Sequence, residues 1–425
     1  MSTRVVIVPD RPFDDGVAEG RKREGSALKA EIRTLLGDPL LKPTLGSMSL
    51  KALAADILSR LETPPDTRRF PELGELYPDR LDYLRGLAKG AKRPLSEAAL
   101  WHYLRYRLEI QRWYQAYNDL SALMESPPEV QSSHCSGVLL VGPEGVLGAH
   151  SMESPPPQRR PTAYRWKAPP PFEPLRLRKP RTPRTLTLVK PRTGYIQDWG
   201  VVNEKGVGCC CGNSCGVWLD EPIEDTWPLH NVPLLRWATT ASHLAELYQR
   251  YTLHNWGRAS QIWADIHGQG VVIEKSFRRI GIRRIGADGI LWCTEGHWES
   301  PEMNAYLRQK RLEFLRRTGR HLGSDDMQYA TDCAVRFTRL GELCHEPLGK
   351  GIAHMNRILT DHAPFPRAIC RHGGPDTAAY DQTVTQMATM KNLSHNHAYE
   401  RAWVPWRRFP CQVPWTLIHY PPIPG

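Results

Sequence analysis

The sequence lacks the hallmarks of several protein classes. No run approaches the roughly 18 to 20 uninterrupted apolar residues that a membrane-spanning helix needs, and the first residues have no basic-then-apolar secretory layout. Ten cysteines in 425 residues are too dilute for a disulfide scaffold, and Cys209, Cys210 and Cys211 are consecutive, where three bridges would be sterically awkward. We therefore expect a soluble cytoplasmic protein with reduced thiols and no membrane partner.

Charge is abundant, and its distribution matters more than its sum. The chain has 56 Lys and Arg against 45 Asp and Glu, a net charge of +11, which by itself suggests a polyanionic partner. The window from Arg159 to Arg192 holds eleven basic residues and one acid, so it supplies ten of the eleven net charges. Prolines from Pro155 to Pro191 disfavour helix or central strand there. We predict an extended basic insertion at 155–192 rather than a DNA-binding fold.

The hydrophobic pattern changes type near residue 130. Between about residues 16 and 125, apolar side chains recur at spacings of three and four, as in Leu28, Ile32 and Leu35, which predicts helices. The remainder predicts strands at 137–141, 146–150, 195–202, 206–211, 262–266 and 271–274, and helices at 241–251 and 303–317. Helices in front, with hairpins and helices behind, indicate an α+β chain with a largely antiparallel sheet.

A cysteine stands where the two patterns meet. Cys135 opens the first predicted strand, in the segment Ser132-Ser133-His134-Cys135-Ser136-Gly137. A lone cysteine is more often a small buried hydrophobe than a nucleophile. A thiol becomes a useful nucleophile where a base shares its proton and donors await the developing oxyanion, and polar residues suited to both follow at intervals.

Short motifs spread along most of the chain extend this hypothesis. They are the helix segment Leu84 to Ala91 (LRGLAKGA), Cys135-Ser136-Gly137 with Glu153 eighteen residues after Cys135, the turn Asn203 to Val207 (NEKGV) with Asn213 ten residues after Asn203, the hairpin residues Asp265, Gly268 and Ile273-Glu274, and the pairs Asp361-His362 and Ile369 to His372 (ICRH). In order and spacing they resemble the acyl-coenzyme A:6-aminopenicillanate acyltransferase-like family of N-terminal-nucleophile (Ntn) cysteine hydrolases and acyltransferases, distant relatives of choloylglycine hydrolases.

This resemblance implies a fold and a processing step. The expected fold is a four-layer αββα sandwich of two antiparallel sheets with a helical N-terminal leader. The expected cut lies between His134 and Cys135, leaving residues 1–134 as a small subunit on the catalytic domain 135–425. The freed α-amine, of a type whose pKa is near 8, would then act as general base for its own thiol. A two-chain protomer follows, with homo-oligomers left open.

The resemblance also implies roles for individual residues. Cys135 is the expected nucleophile, and Asn213 the donor to the oxyanion. Glu153 stands in place of the family's Asp and would hold the α-ammonium, with Arg371 orienting that carboxylate or a substrate acid. His150 falls where the family has Arg.

One further motif departs from the family. Gly296 replaces its asparagine in Thr294-Glu295-Gly296-His297, so Glu295 or His297 is the expected substitute in substrate binding. The expected substrate is a small-molecule amide or an acyl-coenzyme A thioester, and neither a cofactor nor a metal is expected.

Other readings remain open at this point. A catalytically inactive Ntn-fold protein is one, because His134, His150 and Gly296 depart from the family, and a polyanion-binding protein using the 159–192 arm is another, although we do not expect nucleic acid as the partner. The arm is either a solvated loop or a lid that closes over an anionic substrate.

The remaining cysteines and histidines have plainer readings. Cys209 to Cys211 with Cys215 lack metal-ligand spacing, so buried packing is favoured for them. His362 and His372 are interpreted as hydrogen-bonded structural residues.

Overall fold

The computed structural model of the protein describes residues 2–4, 6–9, 12–42, 48–62, 78–118, 135–154, 176–179, 185–189, 196–203, 205–214, 238–251, 259–276, 279–295, 297–319, 324–363, 368–372, 384–402 and 410–419. Helices and largely antiparallel sheets make it an α+β protein, as predicted. Among these residues, no helix combines the length and apolar character needed to cross a membrane.

The leader is helical where the periodicity predicted it. Its described helices are α1 Pro12–Arg21, α2 Ser26–Gly37, α3 Leu50–Glu62, α4 Pro78–Ala91 and α5 Leu95–Asn118. Their apolar faces share one buried cluster that includes Leu28, Ile57 and Leu104. The leader therefore has a core of its own.

Helices α1 and α4 approach each other backbone to backbone. A Cβ atom at Gly86 would lie 1.9 Å from the carbonyl oxygen of Phe13, and one at Gly16 would lie 2.0 Å from that of Tyr83. Gly20 and Gly90 repeat this contact one turn further along. The two glycines of the LRGLAKGA motif are thus required by close helix packing.

The strands form two sheets. They are β1 Ser2–Arg4, β2 Val6–Pro9, β3 Ser136–Gly142, β4 Gly145–Ser154, β5 Arg176–Lys179, β6 Thr185–Val189, β7 Ile196–Asn203, β8 Gly208–Ser214, β9 Ala259–Ala264, β10 Gly270–Lys275, β11 Ile280–Arg284, β12 Ile290–Thr294, β13 Val384–Asn392, β14 His397–Ala402 and β15 Thr416–His419. Among described residues, the first sheet has the order β1-β15-β14-β13-β4-β3-β12 and the second β11-β10-β9-β8-β7-β6-β5-β2. The predicted hairpins β3–β4 and β9–β10 are confirmed.

Four described helices follow the leader. They are α6 Ala241–Tyr251, α7 Pro301–Thr318, α8 Ser324–Cys344 and α9 Ile352–Leu359. A buried cluster with Leu139 and Ile262 joins the facing sides of the two sheets. A second cluster joins the first sheet to α8 and α9, and a third joins the second sheet to α6. Alternate residues of β3 therefore face the second sheet or the helices.

Strands occur in two parts of the chain where none was predicted. The leader contributes strand as well as helix: β1 pairs in parallel with β15 and β2 pairs in parallel with β5, one at the edge of each sheet. The basic insertion also contains strands, since β5 and β6 lie within 155–192. Both strands occupy proline-free stretches, and Pro180, Pro183 and Pro191 fall outside them, so every strand residue keeps its backbone donor. The remainder of the insertion lies outside the described residues.

The side chains of the three consecutive cysteines do not alternate between the faces of β8, as they would on a regular strand. A β-bulge between Cys209 and Cys211 pairs Cys209 with Trp263 and Cys211 with Ile262. Cys209 consequently packs in the cluster with α6, whereas Cys210 and Cys211 both pack between the sheets. All three are buried, as the packing interpretation expected.

Candidate active site

Cys135 lies at the start of β3, whose neighbours in the first sheet are β12 and β4. The residue is 4% exposed. Its backbone N–H donates to Oε2 of Glu295 at 3.3 Å, and the Glu295 N–H donates to the Cys135 carbonyl at 3.1 Å. Residues 135 and 295 continue the register in which Ser136 pairs with Thr294. A buried carboxylate therefore lies against the α-nitrogen of the predicted nucleophile.

A buried arginine binds the other side of the Cys135 backbone. Arg336 of α8 donates from one guanidinium nitrogen to the Cys135 carbonyl at 3.3 Å and to the Ser136 hydroxyl at 2.7 Å. The same nitrogen lies 3.8 Å from Oε2 of Glu153, and both side chains of this ion pair are fully buried. Arg336 thus lies between Cys135 and Glu153.

Glu153 is held by residues of three chain segments. The Ser151 hydroxyl donates to its Oε1 and also contacts the carbonyl of Ile369 at 3.1 Å. The Thr385 hydroxyl lies 3.4 Å from the same Oε1 and accepts the Arg371 N–H at 2.7 Å. The Thr385 hydroxyl therefore lies between the backbone N–H of Arg371 and the Glu153 carboxylate.

His150 lies in the same stretch of β4. It is buried, opposite Gly137 of β3 and Thr389 of β13. Directly opposed residues share a face, so His150 is on the side of the sheet that carries Cys293, the partner of Gly137 on β12. That side faces the second sheet, whereas Glu153 contacts α8 on the other side.

Thiols from the second sheet meet this face. A Cβ atom at Gly137 would lie 2.3 Å from Sγ of Cys211, so only glycine lets the two strands approach this closely. Burial raises the pKa of Cys211 well above its ordinary value, and interactions with Cys293 and Cys135 add to this. Cys211 is therefore a neutral packing group near the predicted nucleophile.

Asn213 lies on β8, two residues beyond Cys211. It pairs with Ser260 of β9, whose carbonyl is 4.0 Å from Sγ of Cys293. The register therefore brings Asn213 to the part of the second sheet that faces the start of β3. The side chain of Asn213 lies outside what the structure describes, as do His134 and Gly296.

Two of the motif carboxylates bind backbone N–H groups at or just before the start of a helix. Asp265 accepts the Ala241 N–H at the start of α6 and the His267 and Gln269 N–H groups of its own turn. Glu274 accepts the Glu299 and Ser300 N–H groups just before α7. Asp265 thereby satisfies a backbone donor that the N-terminus of α6 leaves unpaired, and Glu274 holds the two residues that lead into α7.

The remaining predicted residue, His297, lies on the turn after β12. Its Nε2 is 2.6 Å from Oε1 of Glu299, and its ring packs at 4.3 Å on that of Phe337. Sequence reasoning missed Arg336 entirely, because it lies 201 residues from Cys135 on a helix with no motif of its own. The only local signal is an arginine inside the otherwise apolar segment Cys333 to Phe337.

No protein-family model and no curated protein matches the chain. Among solved structures, the chain is similar to a mutant conjugated bile acid hydrolase from Clostridium perfringens, with 12% identity, a TM-score of 0.36, and 68% of this chain and 97% of that chain covered. A second variant of that hydrolase is 13% identical with a TM-score of 0.37, and the match covers 68% of this chain and 97% of that chain. Penicillin V acylase from Agrobacterium tumefaciens is 14% identical with a TM-score of 0.34, and the match covers 64% of this chain and 84% of that chain. Similarity at this level identifies neither a family nor an activity.

Proposed function

We propose that this protein is a self-processing N-terminal-cysteine amidohydrolase or acyltransferase whose acyl-enzyme forms on Cys135. One observation carries the proposal: a strand-opening cysteine has its α-nitrogen on the Glu295 carboxylate and its carbonyl on the Arg336 guanidinium. Both charged side chains are almost fully buried. Burying a charged group is costly unless the group is paired. Here both buried charges contact the backbone of Cys135, the residue that would supply the thiol nucleophile and the α-amine base.

Processing begins at the peptide bond between His134 and Cys135. Sγ of Cys135 adds to the His134 carbonyl carbon, the C–N bond breaks, and the proton lost by the thiol passes to the departing nitrogen. The product is a thioester, which water hydrolyses to a His134 carboxylate and a free thiol. Glu295 lies at the nitrogen and stabilises the positive charge that develops there.

The processed residue then acts on an amide or thioester substrate. The α-amine of Cys135 accepts the thiol proton, Sγ attacks the acyl carbon, and the amine or thiol of the substrate leaves with that proton. Asn213, placed by its register in the facing sheet, would donate to the tetrahedral oxyanion. Water or a second amine resolves the acyl-enzyme, giving hydrolysis or acyl transfer.

Glu295 and Glu153 have separate roles in this proposal, whereas the sequence analysis assigned the α-ammonium to Glu153 alone. Glu295 holds the α-ammonium, because it is in hydrogen-bond contact with the α-nitrogen. Glu153 balances Arg336, which keeps the Cys135 backbone in place. Arg371 is a positioning residue that acts through Thr385.

The proposal includes the chain architecture. Residues 1–134 remain bound as the small subunit, and 135–425 form a four-layer αββα domain of the Ntn type. The edge pairings of β1 with β15 and β2 with β5 support retention of the leader, since both depend on residues before the cut. The resulting protomer has two chains.

The test is an intact-mass measurement under denaturing conditions on the purified wild type, on Cys135→Ala and on Cys344→Ala, a buried cysteine outside the site. By residue share of 48.4 kDa, cleavage before Cys135 gives pieces of about 15 and 33 kDa. We expect both pieces for the wild type and Cys344→Ala, and a single full-length mass for Cys135→Ala.

A second readout identifies the new end. 2-Cyanobenzothiazole condenses only with a free 1,2-aminothiol, so it should label the larger wild-type piece on Cys135 alone. An intact wild-type chain that takes up no label would overturn the proposal and favour the catalytically inactive reading.

A further inference from the structure

A second cluster of reactive side chains lies outside the catalytic assignment. It consists of His362, three residues after the end of α9, Cys370 and His372, which flank Arg371, and Cys411 in the short 3-10 helix Pro410–Gln412. The two imidazole nitrogens and two thiol sulfurs all lie within 4.8 Å of one another. Three separate segments of the chain therefore bring four soft ligand atoms to one point.

We propose that His362, Cys370, His372 and Cys411 bind a structural Zn²⁺ ion. Zn–N bonds of about 2.0 to 2.1 Å and Zn–S bonds of about 2.3 Å place the ligand atoms of a tetrahedral site about 3.3 to 3.8 Å apart. The His362 and His372 Nε2 atoms are 3.1 Å apart, and Nε2 of His372 lies 3.6 Å from the Cys370 sulfur and 3.0 Å from the Cys411 sulfur. These three separations match the edges of that tetrahedron to within about half an ångström, and all six are at most 4.8 Å.

The two sulfur and two nitrogen donors favour Zn²⁺ over other metal ions. Two thiolates and two neutral imidazoles are a common structural zinc set and carry two negative charges, so Zn²⁺ makes the site neutral. Four protein ligands fill a tetrahedron and leave no open position, which indicates a structural ion instead of a catalytic one.

The spacing explains why the sequence conceals this site. Cys370 and His372 are two residues apart, but His362 lies ten residues before His372 and Cys411 thirty-nine after it. The segment 361–370 is closed by the Cys370 N–H on the Asp361 carbonyl at 2.9 Å, which returns His362 to the cluster. His362 is exposed, whereas Cys370 is buried, so the ion has an entry path from the surface.

The ion would clamp the segment that supports the candidate active site. Between its two ligands in this segment lies Arg371, whose N–H binds Thr385, and the preceding Ile369 carbonyl contacts Ser151 beside Glu153. His372 also forms an isolated β-bridge with Val384 at the start of β13. Zinc at this point would tie the segment 368–372 to both the loop after α9 and the 410–412 turn.

The test is the metal content of purified protein after dialysis against metal-free buffer, measured by inductively coupled plasma mass spectrometry. We expect one zinc per chain in the wild type. Loss of a ligand should weaken zinc affinity at least about tenfold, so His362→Ala and Cys411→Ser should retain less zinc per chain after the same dialysis. His362 is exposed, so its removal should leave the packing intact. His345→Ala, at an exposed histidine outside the cluster, is the matched control and should keep one zinc.

Cobalt provides an independent readout. Co²⁺ bound in place of zinc should give the intense visible absorption of a tetrahedral site with thiolate ligands, and this absorption should be lost in Cys411→Ser. A wild type without bound metal whose peptide map shows a Cys370–Cys411 disulfide would overturn the proposal, as would equal metal content in the wild type and both ligand variants. The outcome is independent of cleavage at Cys135, because metal content is measured whether or not the chain is processed.

Discussion

The α-nitrogen of Cys135 lies 3.3 Å from Oε2 of Glu295. In a regular ladder, a backbone carbonyl would accept this N–H, but here a side-chain carboxylate does so at the point where β3 begins. The contact has two readings, either a polar cap for the end of the ladder or a charge placed for an amine that processing creates. An isosteric variant separates them, since only the second reading needs the charge.

Glu295→Gln keeps an acceptor oxygen and removes the negative charge. We expect it to fold like the wild type but to self-cleave about 10²-fold more slowly, because the nitrogen that departs in the acyl shift loses its stabilising carboxylate. The measurement is the fraction of full-length chain against time by intact mass. Glu299→Gln, at the nearby partly exposed carboxylate, serves as the control and should cleave at the wild-type rate. A wild-type rate in Glu295→Gln would leave only the structural cap.

Arg336→Met breaks the fully buried pair with Glu153. The expected loss in the free energy of unfolding is about 3 to 5 kcal/mol, because the Glu153 carboxylate stays buried without its counter-charge. Urea denaturation measures it, with Arg308→Met on the exposed face of α7 as a control expected to change stability by less than about 0.5 kcal/mol. Adding Glu153→Gln to Arg336→Met should recover part of the loss. Additive effects of the two substitutions would contradict the pairing.

Gly86→Ala tests the close contact between α1 and α4. The new Cβ would lie 1.9 Å from a backbone oxygen that cannot move without separating the helices, so we expect a loss of about 2 kcal/mol or more. Gly37→Ala is the control, because nothing lies within 4 Å of its Cβ position at the end of α2. That substitution should be neutral or stabilising by up to about 1 kcal/mol. Thermal unfolding of both variants beside the wild type gives the comparison, and equal Tm values would refute the packing argument.

Cys210 makes stability depend on alkaline pH. Burial raises the pKa of its thiol from 9.0 to about 12. Above pH 9 the unfolded chain releases this proton while the folded chain keeps it, so stability falls as pH rises towards 12. For this thiol the loss reaches about 3 kcal/mol at pH 11. In Cys210→Ala, the decline of the unfolding free energy from pH 9 to 11 should be shallower by about 2 kcal/mol, whatever the offset at pH 7. An unchanged slope would show that the thiol titrates normally.

Much of the secondary structure could be predicted from the sequence. The helices at 241–251 and 303–317 and the hairpin around residues 142–145 were predicted within about two residues, because apolar periodicity and turn residues are local signals. Gly145, at φ 104°, shows why that turn needs glycine. Strands β1, β2, β5 and β6 were missed, since each is at most five residues long and depends on its partner strand for stability.

The sequence by itself determined the helical leader, the α+β class and the position of Cys135 at the start of a strand, because each depends on residues that are neighbours along the chain. Only the tertiary structure decided what surrounds that cysteine. Glu295 and Arg336 reach it from 160 and 201 residues away, through strand register and helix packing. The same holds for His362 and Cys411, since ligand geometry is set by where segments meet in space and leaves no periodicity in the chain.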